Sequence, residues 1–318
     1  MDTMEKLGRG GIVPVVVIEN ADNAVDTADA LKAGGIHSME ITLRTEDALD
    51  AINKVAEERP DMLVGAGTVL NLEQAKLSVD AGAKFIVSPG FDEDVVRFCV
   101  EKNVAVTPGC VTPTEIMRAV KLGCKVLKFF PANVYGGLNA LKALAGPFGG
   151  VKFIPTGGVN TENIGQFVNA PFVYAVGGSW VCPKADINAK SFEKITALCK
   201  EAVKAALGFE IAHVGINTPD AAASLNVATS LADALGMDLK HGNSSNFVGT
   251  AVEVMKKMYL GANGHIAVRT NNVEIACGYL GEKGLEVDMD TAKYKNGNLT
   301  AVYLKDSFGG FAVHLVRK

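Results

Sequence analysis

No stretch of this 318-residue chain stays apolar for the roughly 18 to 20 residues that span a bilayer. The longest runs are short, and one of them, Ile12 to Ile18, is broken by Pro14. No membrane partner is therefore expected. The opening residues MDTMEKLGRGG have no apolar core beside their charges and no small-residue cleavage pattern, so no signal peptide is expected. Positive charge is not in excess. Against 31 Lys and Arg stand 35 Asp and Glu, a net charge of -4, which gives no electrostatic reason to bind nucleic acid. The six cysteines (Cys99, Cys110, Cys124, Cys182, Cys199, Cys277) form no CxxC pair and no short-spaced framework. Most lie in apolar runs, where buried reduced thiols are the expectation. Together these absences point to the cytoplasm.

What is present describes a folded protein. Hydrophobic residues make up 48% and charged residues 21% of the chain, which fits a globular protein and argues against disorder. The length suggests one large domain and a smaller one. The 34 glycines exceed the average share of about 7% and call for many tight turns.

From Gly11 to about Leu207 a short apolar run, a turn and an amphipathic stretch recur. The runs begin at Ile12 (IVPVVVI), His37 (HSMEITL), Met62 (MLVGAGT), Lys84 (KFIVSPG), Val104 (VAVTPG), Cys124 (CKVLKFF), Val151 (VKFIPTGG) and Phe172 (FVYAVGGS). Helical patterns such as EDALDAINKVAEE and LEQAKLSVDAGA lie between them. Continuous apolar runs suit parallel strands covered on both faces. Eight β-then-α units predict a (β/α)8 TIM barrel over residues 1–207. An open doubly wound sheet is the alternative, but no GxGxxG follows the first run.

After Gly208 the texture changes. A strand, a helix and further strands read twice, from Phe209 and from Gly264, with one strand (VGTAVEVMK) running on from Val248. Residues 208–318 thus predict a smaller α+β domain of paired βαβββ-like modules. The first module reads one strand short between Met237 and Val248.

In a barrel the site lies at the C-terminal ends of the strands, and there the polar exceptions collect. Glu40 and Arg44 end the second run, Thr68 the third, Ser88-Pro89-Gly90 the fourth and Thr107-Pro108-Gly109 the fifth. Lys128 ends the sixth, Thr156-Gly157-Gly158 the seventh and Gly177-Gly178-Ser179 the eighth. Lys128 lies inside VLKFFP, where desolvation favours a neutral, nucleophilic amine. The alternative is a lysine that snorkels out at the strand end. Glu40, inside SMEITLR, suits proton transfer or a buried ion pair with Arg44 or Lys128. Arg44 offers a fork for a carboxylate, or is a loop-surface arginine. TGGV and GGSW place free backbone N–H groups after strands seven and eight, the usual phosphate site of such barrels, or are simply tight turns.

EITLR, GAGTVL, SPG, KFFPA, GGLNALKALAGPF, PTGGV and GGSW occur in this order and together resemble the 2-keto-3-deoxy-6-phosphogluconate (KDPG) and 4-hydroxy-2-oxoglutarate (KHG) aldolase family. The resemblance runs from about Gly11 to Leu207. It implies a class I aldolase that needs no cofactor, takes a keto-acid sugar phosphate and forms a homotrimer. It assigns Lys128 as the Schiff-base former, Glu40 as general acid/base and Arg44 as carboxylate ligand. Thr68 and Pro89 would line the pyruvate end, and Gly157, Gly158, Gly178 and Ser179 would hold the phosphate.

Only five histidines exist, and three lie in expected strands of the second domain. His213 and His265 occupy equivalent places in the two first strands, and Glu253 and His314 lie in the two last. Such symmetry can converge four ligands on one divalent metal, zinc, iron, nickel or manganese alike. This half resembles the vicinal oxygen chelate (glyoxalase-like) superfamily, which implies a metal site at these four positions. Its last ligand is usually glutamate and here is histidine. A degenerate effector-binding domain without metal is the alternative.

Overall fold

The computed structural model describes all 318 residues. They fall into two compact units, Met1–Ala206 and Leu207–Lys318.

In the first unit eight strands alternate with helices: β1 (Ile12–Val16), β2 (Ser38–Thr42), β3 (Leu63–Gly67), β4 (Phe85–Val87), β5 (Ala105–Thr107), β6 (Val126–Phe129), β7 (Lys152–Pro155) and β8 (Val176–Gly178). Every ladder between them is parallel. β1, β2, β4 and β6 are buried at every residue, which is why β1 and β4 read as unbroken apolar runs and why Glu40 and Lys128 stand out inside β2 and β6. Six strands hydrogen-bond in the order β5-β4-β3-β2-β1-β8, and β6 and β7 form a separate pair. The eight expected strands are therefore present, but the ladder is divided. Isolated parallel bridges lie across the two divisions: Gly109 to Lys128 across one, and Phe153 to Val173 and Thr156 to Gly177 across the other. Proline explains the thin ladders, because it has no N–H to donate. Pro108 follows β5 and offers only its carbonyl, which accepts from the Lys128 amide at 3.0 Å. Pro155 ends β7.

A helix that the strand pattern does not announce, Thr3–Gly10, precedes β1. Asp2 and Glu5 close a capping box at its start, and Gly11 ends it in the left-handed region. Its Leu7 is buried with Val13, Phe85, Val87, Val126, Ile154 and Ala175. Tyr174 donates its hydroxyl to the Met4 carbonyl at 3.0 Å and so fastens the helix.

The second unit is one mixed sheet with the order β10-β11-β12-β9-β13-β16-β15-β14. Its strands are β9 (Glu210–Ile216), β10 (Leu239–His241), β11 (Ser245–Val248), β12 (Val252–Met255), β13 (Gly264–Thr270), β14 (Val287–Lys295), β15 (Asn298–Phe308) and β16 (Phe311–Arg317). Helices Ala221–Leu235 and Val273–Glu282 follow β9 and β13, so each half is one strand, one helix and three strands. β9 and β13 pair antiparallel at the centre, flanked in parallel by β12 and β16. Two expectations are corrected here. The first module is not short of a strand, because Leu239–His241 pairs with β11. The run from Val248 is not one strand, because the chain turns at Gly249, which adopts a φ of +59°, and resumes at Val252. Asn296 and Gly297, both at positive φ, make the tight hairpin between β14 and β15.

Burial explains the cysteines. Five of the six are buried, and desolvation pushes the Cys99 and Cys199 thiols up to about 12. No helix is long and apolar enough to cross a membrane.

Candidate active site and a second ligand cluster

β6 fixes Lys128 by its backbone. The amide donates to Pro108, and the carbonyl accepts from Cys110 at 2.9 Å. β2 carries Glu40, in register with Val15 of β1 and Gly65 of β3. β2 and β6 are not neighbours in the sheet, yet their side chains meet inside the unit. Lys128 Nζ lies 3.2 Å from Glu40 Oε1, and the two residues are only 5% and 3% exposed. Two ionisable groups this deep persist only as partners, since either one alone would forfeit its solvation. Around them stand apolar Leu7, Val13, Phe85, Val87 and Ile154, and the threonines Thr107 and Thr156. Lys128 Nζ also lies 5.4 Å from the Phe130 ring centroid.

Glycine makes the close approach possible. A Cβ on Gly67 would fall 2.1 Å from Glu40 Oε1, and one on Gly177 would fall 2.2 Å from Thr156 Oγ1.

Beyond β2, Arg44 is exposed and donates through Nε to Thr68 Oγ1 at 3.0 Å. Thr68 has a φ of +58°. For a β-branched residue that is a strained conformation, costing roughly 1–3 kcal/mol, and such strain concentrates at functional positions. Pro89 is half-buried, and its carbonyl stands where a Gly109 Cβ would be, 2.1 Å away. Gly157 and Gly158 turn at φ of +91° and +82°. The Thr156–Gly177 bridge sets this turn beside Gly178 and Ser179. The structure thus joins Lys128 to Glu40 and Arg44 to Thr68, and gathers the glycine turns at neighbouring strand ends. Strand-end polarity marks Thr107 and Thr156 in the sequence without naming them as site residues. Leu7 carries no signal beyond being apolar.

In the second unit His213, His265 and Glu253 converge. His213 Nε2 and His265 Nε2 are 3.1 Å apart, and Glu253 Oε2 lies 3.1 Å from each. Protons alone cannot satisfy this triangle. If both imidazoles donate to the carboxylate, their N–H groups face each other. If one donates to the other, a nitrogen lone pair faces the carboxylate oxygen. A divalent ion removes the conflict, and donors sharing one ion at about 2.0–2.2 Å stand at such spacings. His314 adds a nitrogen: its Nε2 is buried with no hydrogen-bond partner. One donor nitrogen from each of the three histidines lies within 4.8 Å of the others. Burial opposes ionisation of Glu253, but hydrogen bonds from His213, His265 and Ser245 hold its carboxyl well below the usual range. Burial, with His265 and His213 nearby, pushes His314 down to about 3, so it stays a neutral donor. The donor set fits a divalent metal.

This chain has relatives whose chemistry is named. The sequence pattern of the KDPG and KHG aldolase family matches residues 3–198. A 2-dehydro-3-deoxy-phosphogluconate aldolase of Treponema pallidum (strain Nichols) is 45% identical over 200 residues, 63% of this chain and 95% of that protein. A KHG/KDPG aldolase of Escherichia coli (strain K12) is 44% identical over 200 residues, 63% and 94% of the two chains. Among solved structures, the KDPG aldolase of Legionella pneumophila, with pyruvate captured as a covalent carbinolamine, is 38% identical with a TM-score of 0.62. It covers 64% of this chain and 98% of its own. The 2-keto-3-deoxy-6-phosphogluconate aldolase of Zymomonas mobilis ZM4, with 3-phosphoglycerate, is 41% identical with a TM-score of 0.58, covering 63% and 93%. Fold and relatives together define a lyase of the class I aldolase kind. The chain belongs to the KDPG and KHG aldolase family.

Proposed function

We propose that the first unit cleaves 2-keto-3-deoxy-6-phosphogluconate to pyruvate and glyceraldehyde 3-phosphate through a Schiff base on Lys128. The buried contact of 3.2 Å between Lys128 and Glu40 carries this reading. Lys128 Nζ attacks the C2 ketone, and Glu40 moves the protons that turn the carbinolamine into an imine. The protonated imine is the electron sink, so no cofactor is required. The C4 hydroxyl loses its proton, the C3–C4 bond breaks and the aldehyde leaves. The enamine gains a proton at C3, and water releases pyruvate and Lys128. Arg44 and Thr68 hold the carboxylate, Pro89 lines the pyruvate end, and Gly157, Gly158, Gly178 and Ser179 receive the phosphate. The names of the Treponema and Zymomonas proteins support this substrate, and the covalent pyruvate of the Legionella structure supports the chemistry. 4-Hydroxy-2-oxoglutarate, which shares the pyruvate end and lacks the phosphate, is the second substrate, as the E. coli relative's name suggests. In this reading residues 1–207 form one closed barrel, its two ladders joined by the isolated bridges. The enzyme acts as a homotrimer in the cytoplasm, in the Entner-Doudoroff route.

Borohydride reduction in the presence of pyruvate tests the mechanism. Intact mass should show one pyruvate-derived group per chain, and peptide mapping should place it on Lys128. No adduct, or an adduct on another lysine, refutes it.

For residues 208–318 the reading is a glyoxalase-like domain in which His213, Glu253, His265 and His314 would hold a divalent metal. The frustrated 3.1 Å triangle favours this over a metal-free effector domain. Bound there, the ion would supply Lewis acidity. Metal analysis of the full chain, with His265→Ala beside it, tests it: a stoichiometric ion lost in the variant supports the site, and none in either refutes it.

A further inference from the structure

The carboxylate of the second cluster is held at both ends. Glu253 Oε2 faces His213 and His265, while Oε1 accepts a hydrogen bond from the Ser245 hydroxyl at 2.6 Å. The sheet register creates this pairing. Phe247 of β11 lies opposite Glu253 of β12, so Ser245, two residues away on the same face, is the diagonal neighbour of Glu253. The backbone under Ser245 is itself fixed. The next residue, Asn246, is 1% exposed and donates through Nδ2 to Ser224 Oγ at 2.9 Å, and Ser224 donates to the Val254 carbonyl at 2.8 Å. This buried chain ties β11 and β12 to the helix Ala221–Leu235 and leaves the 4%-exposed Ser245 little room to move.

We propose that Ser245 is a positioning residue for a metal ion at this cluster: by occupying Oε1 it makes Glu253 a one-oxygen ligand through Oε2. The proposal rests on the metal reading above. A carboxylate free at both oxygens can swing to chelate an ion with both, which changes coordination number and takes a position that an exogenous ligand would use. A hydroxyl on one oxygen prevents this. Outer-sphere hydrogen bonds of this kind are worth about 10- to 100-fold in metal affinity.

The test uses the full chain with cobalt(II), whose visible absorption weakens as coordination number rises. Ser245→Ala should bind cobalt about 10- to 100-fold more weakly, with a less intense visible band. Ser245→Thr, which keeps the hydroxyl, should restore both. Aldolase turnover should be unchanged in all three proteins, since Ser245 lies outside that machinery. A merely structural role for Ser245 would lower thermal stability and leave the cobalt spectrum as it is. If Ser245→Ala binds cobalt with wild-type affinity and an unaltered band, the positioning role is overturned while the metal site stands. If the wild-type chain binds no cobalt, the metal reading fails and the proposal with it.

Discussion

Gly67 ends β3 against the carboxylate of Glu40, and one methyl group there isolates the role of that carboxylate. Added as Gly67→Ala, the methyl would stand 2.1 Å from Oε1, 2.5 Å from Cγ and 2.7 Å from Cδ, where ordinary contact begins at 3.4 Å. The carboxylate has to retreat by about 1.3 Å in a close-packed interior. Its 3.2 Å contact with Lys128 then opens beyond hydrogen-bonding reach. The backbone itself accepts alanine, because Gly67 is not in the left-handed region. A misplacement of about 1 Å costs on the order of 100-fold in rate, so kcat should fall by about that factor while Lys128 keeps its place. The assay is pyruvate release coupled to NADH oxidation, with a thermal melt to confirm folding. The double variant Gly67→Ala/Glu40→Gln decides the cause. If the methyl acts through Glu40, the pair is no slower than Glu40→Gln alone. A folded Gly67→Ala enzyme with more than a third of wild-type kcat, or losses that multiply in the double variant, would refute the reasoning.

Leu7→Ala should destabilise the first unit by about 2–5 kcal/mol, read in a urea melt, because Leu7 is 1% exposed in the apolar cluster that lies around Lys128. Glu115→Gln should lose about 1 kcal/mol near neutral pH and nothing in strong acid. Burial opposes ionisation of Glu115, but hydrogen bonds from the Val111 amide and from the Thr112 amide and hydroxyl hold its carboxyl below the usual range. Its contribution is therefore complete above the unfolded carboxyl value and vanishes as pH falls through the lowered folded one, which melts across pH 2 to 7 will show. His314→Ala should weaken cobalt binding by more than the roughly 100-fold ceiling of outer-sphere partners, with kcat of the aldolase unchanged.

The strands of the first unit are legible because burial on both faces keeps them largely apolar. The same rule makes Lys128 and Glu40 conspicuous, since a charge inside such a run demands a reason. Thr107 and Thr156 are harder to single out. Threonine favours strands for its branching alone, so its presence there says little about chemistry. The division of the ladder depends on which N–H groups Pro108 and Pro155 withhold at two particular seams, and a run of letters does not tell which strands meet. β10 escapes for want of what makes β1 plain: Lys240 and His241 are exposed on an edge strand, with no apolar alternation to mark it. His213 and His265 stand out by symmetry, but their 3.1 Å approach depends on the antiparallel register that sets His265 opposite Gly215 and His213 opposite Ala267. Ser245 shows no sign at all, because its partner lies across a hairpin.

Three strand glycines share a property that a sequence can reveal only once its meaning is known. Gly67, Gly177 and Gly215 all lack the positive φ that usually accounts for glycine. Each instead faces a polar side chain. An added Cβ would meet Glu40 Oε1 at 2.1 Å, Thr156 Oγ1 at 2.2 Å and the His265 ring at 2.0 Å. Glycine weakens a strand interior by roughly 0.5–1 kcal/mol relative to alanine, so its place in a packed sheet needs an explanation. Here it is the same in both units: a polar side chain on one strand, or just past its end, comes against the backbone of another strand, and only a residue without Cβ leaves it the room. Gly67, Gly177 and Gly215 therefore mark Glu40, Thr156 and His265 from the opposite side, by the space those side chains occupy, whereas Gly65 and Gly178 beside them make room for the Phe85 and Trp180 rings.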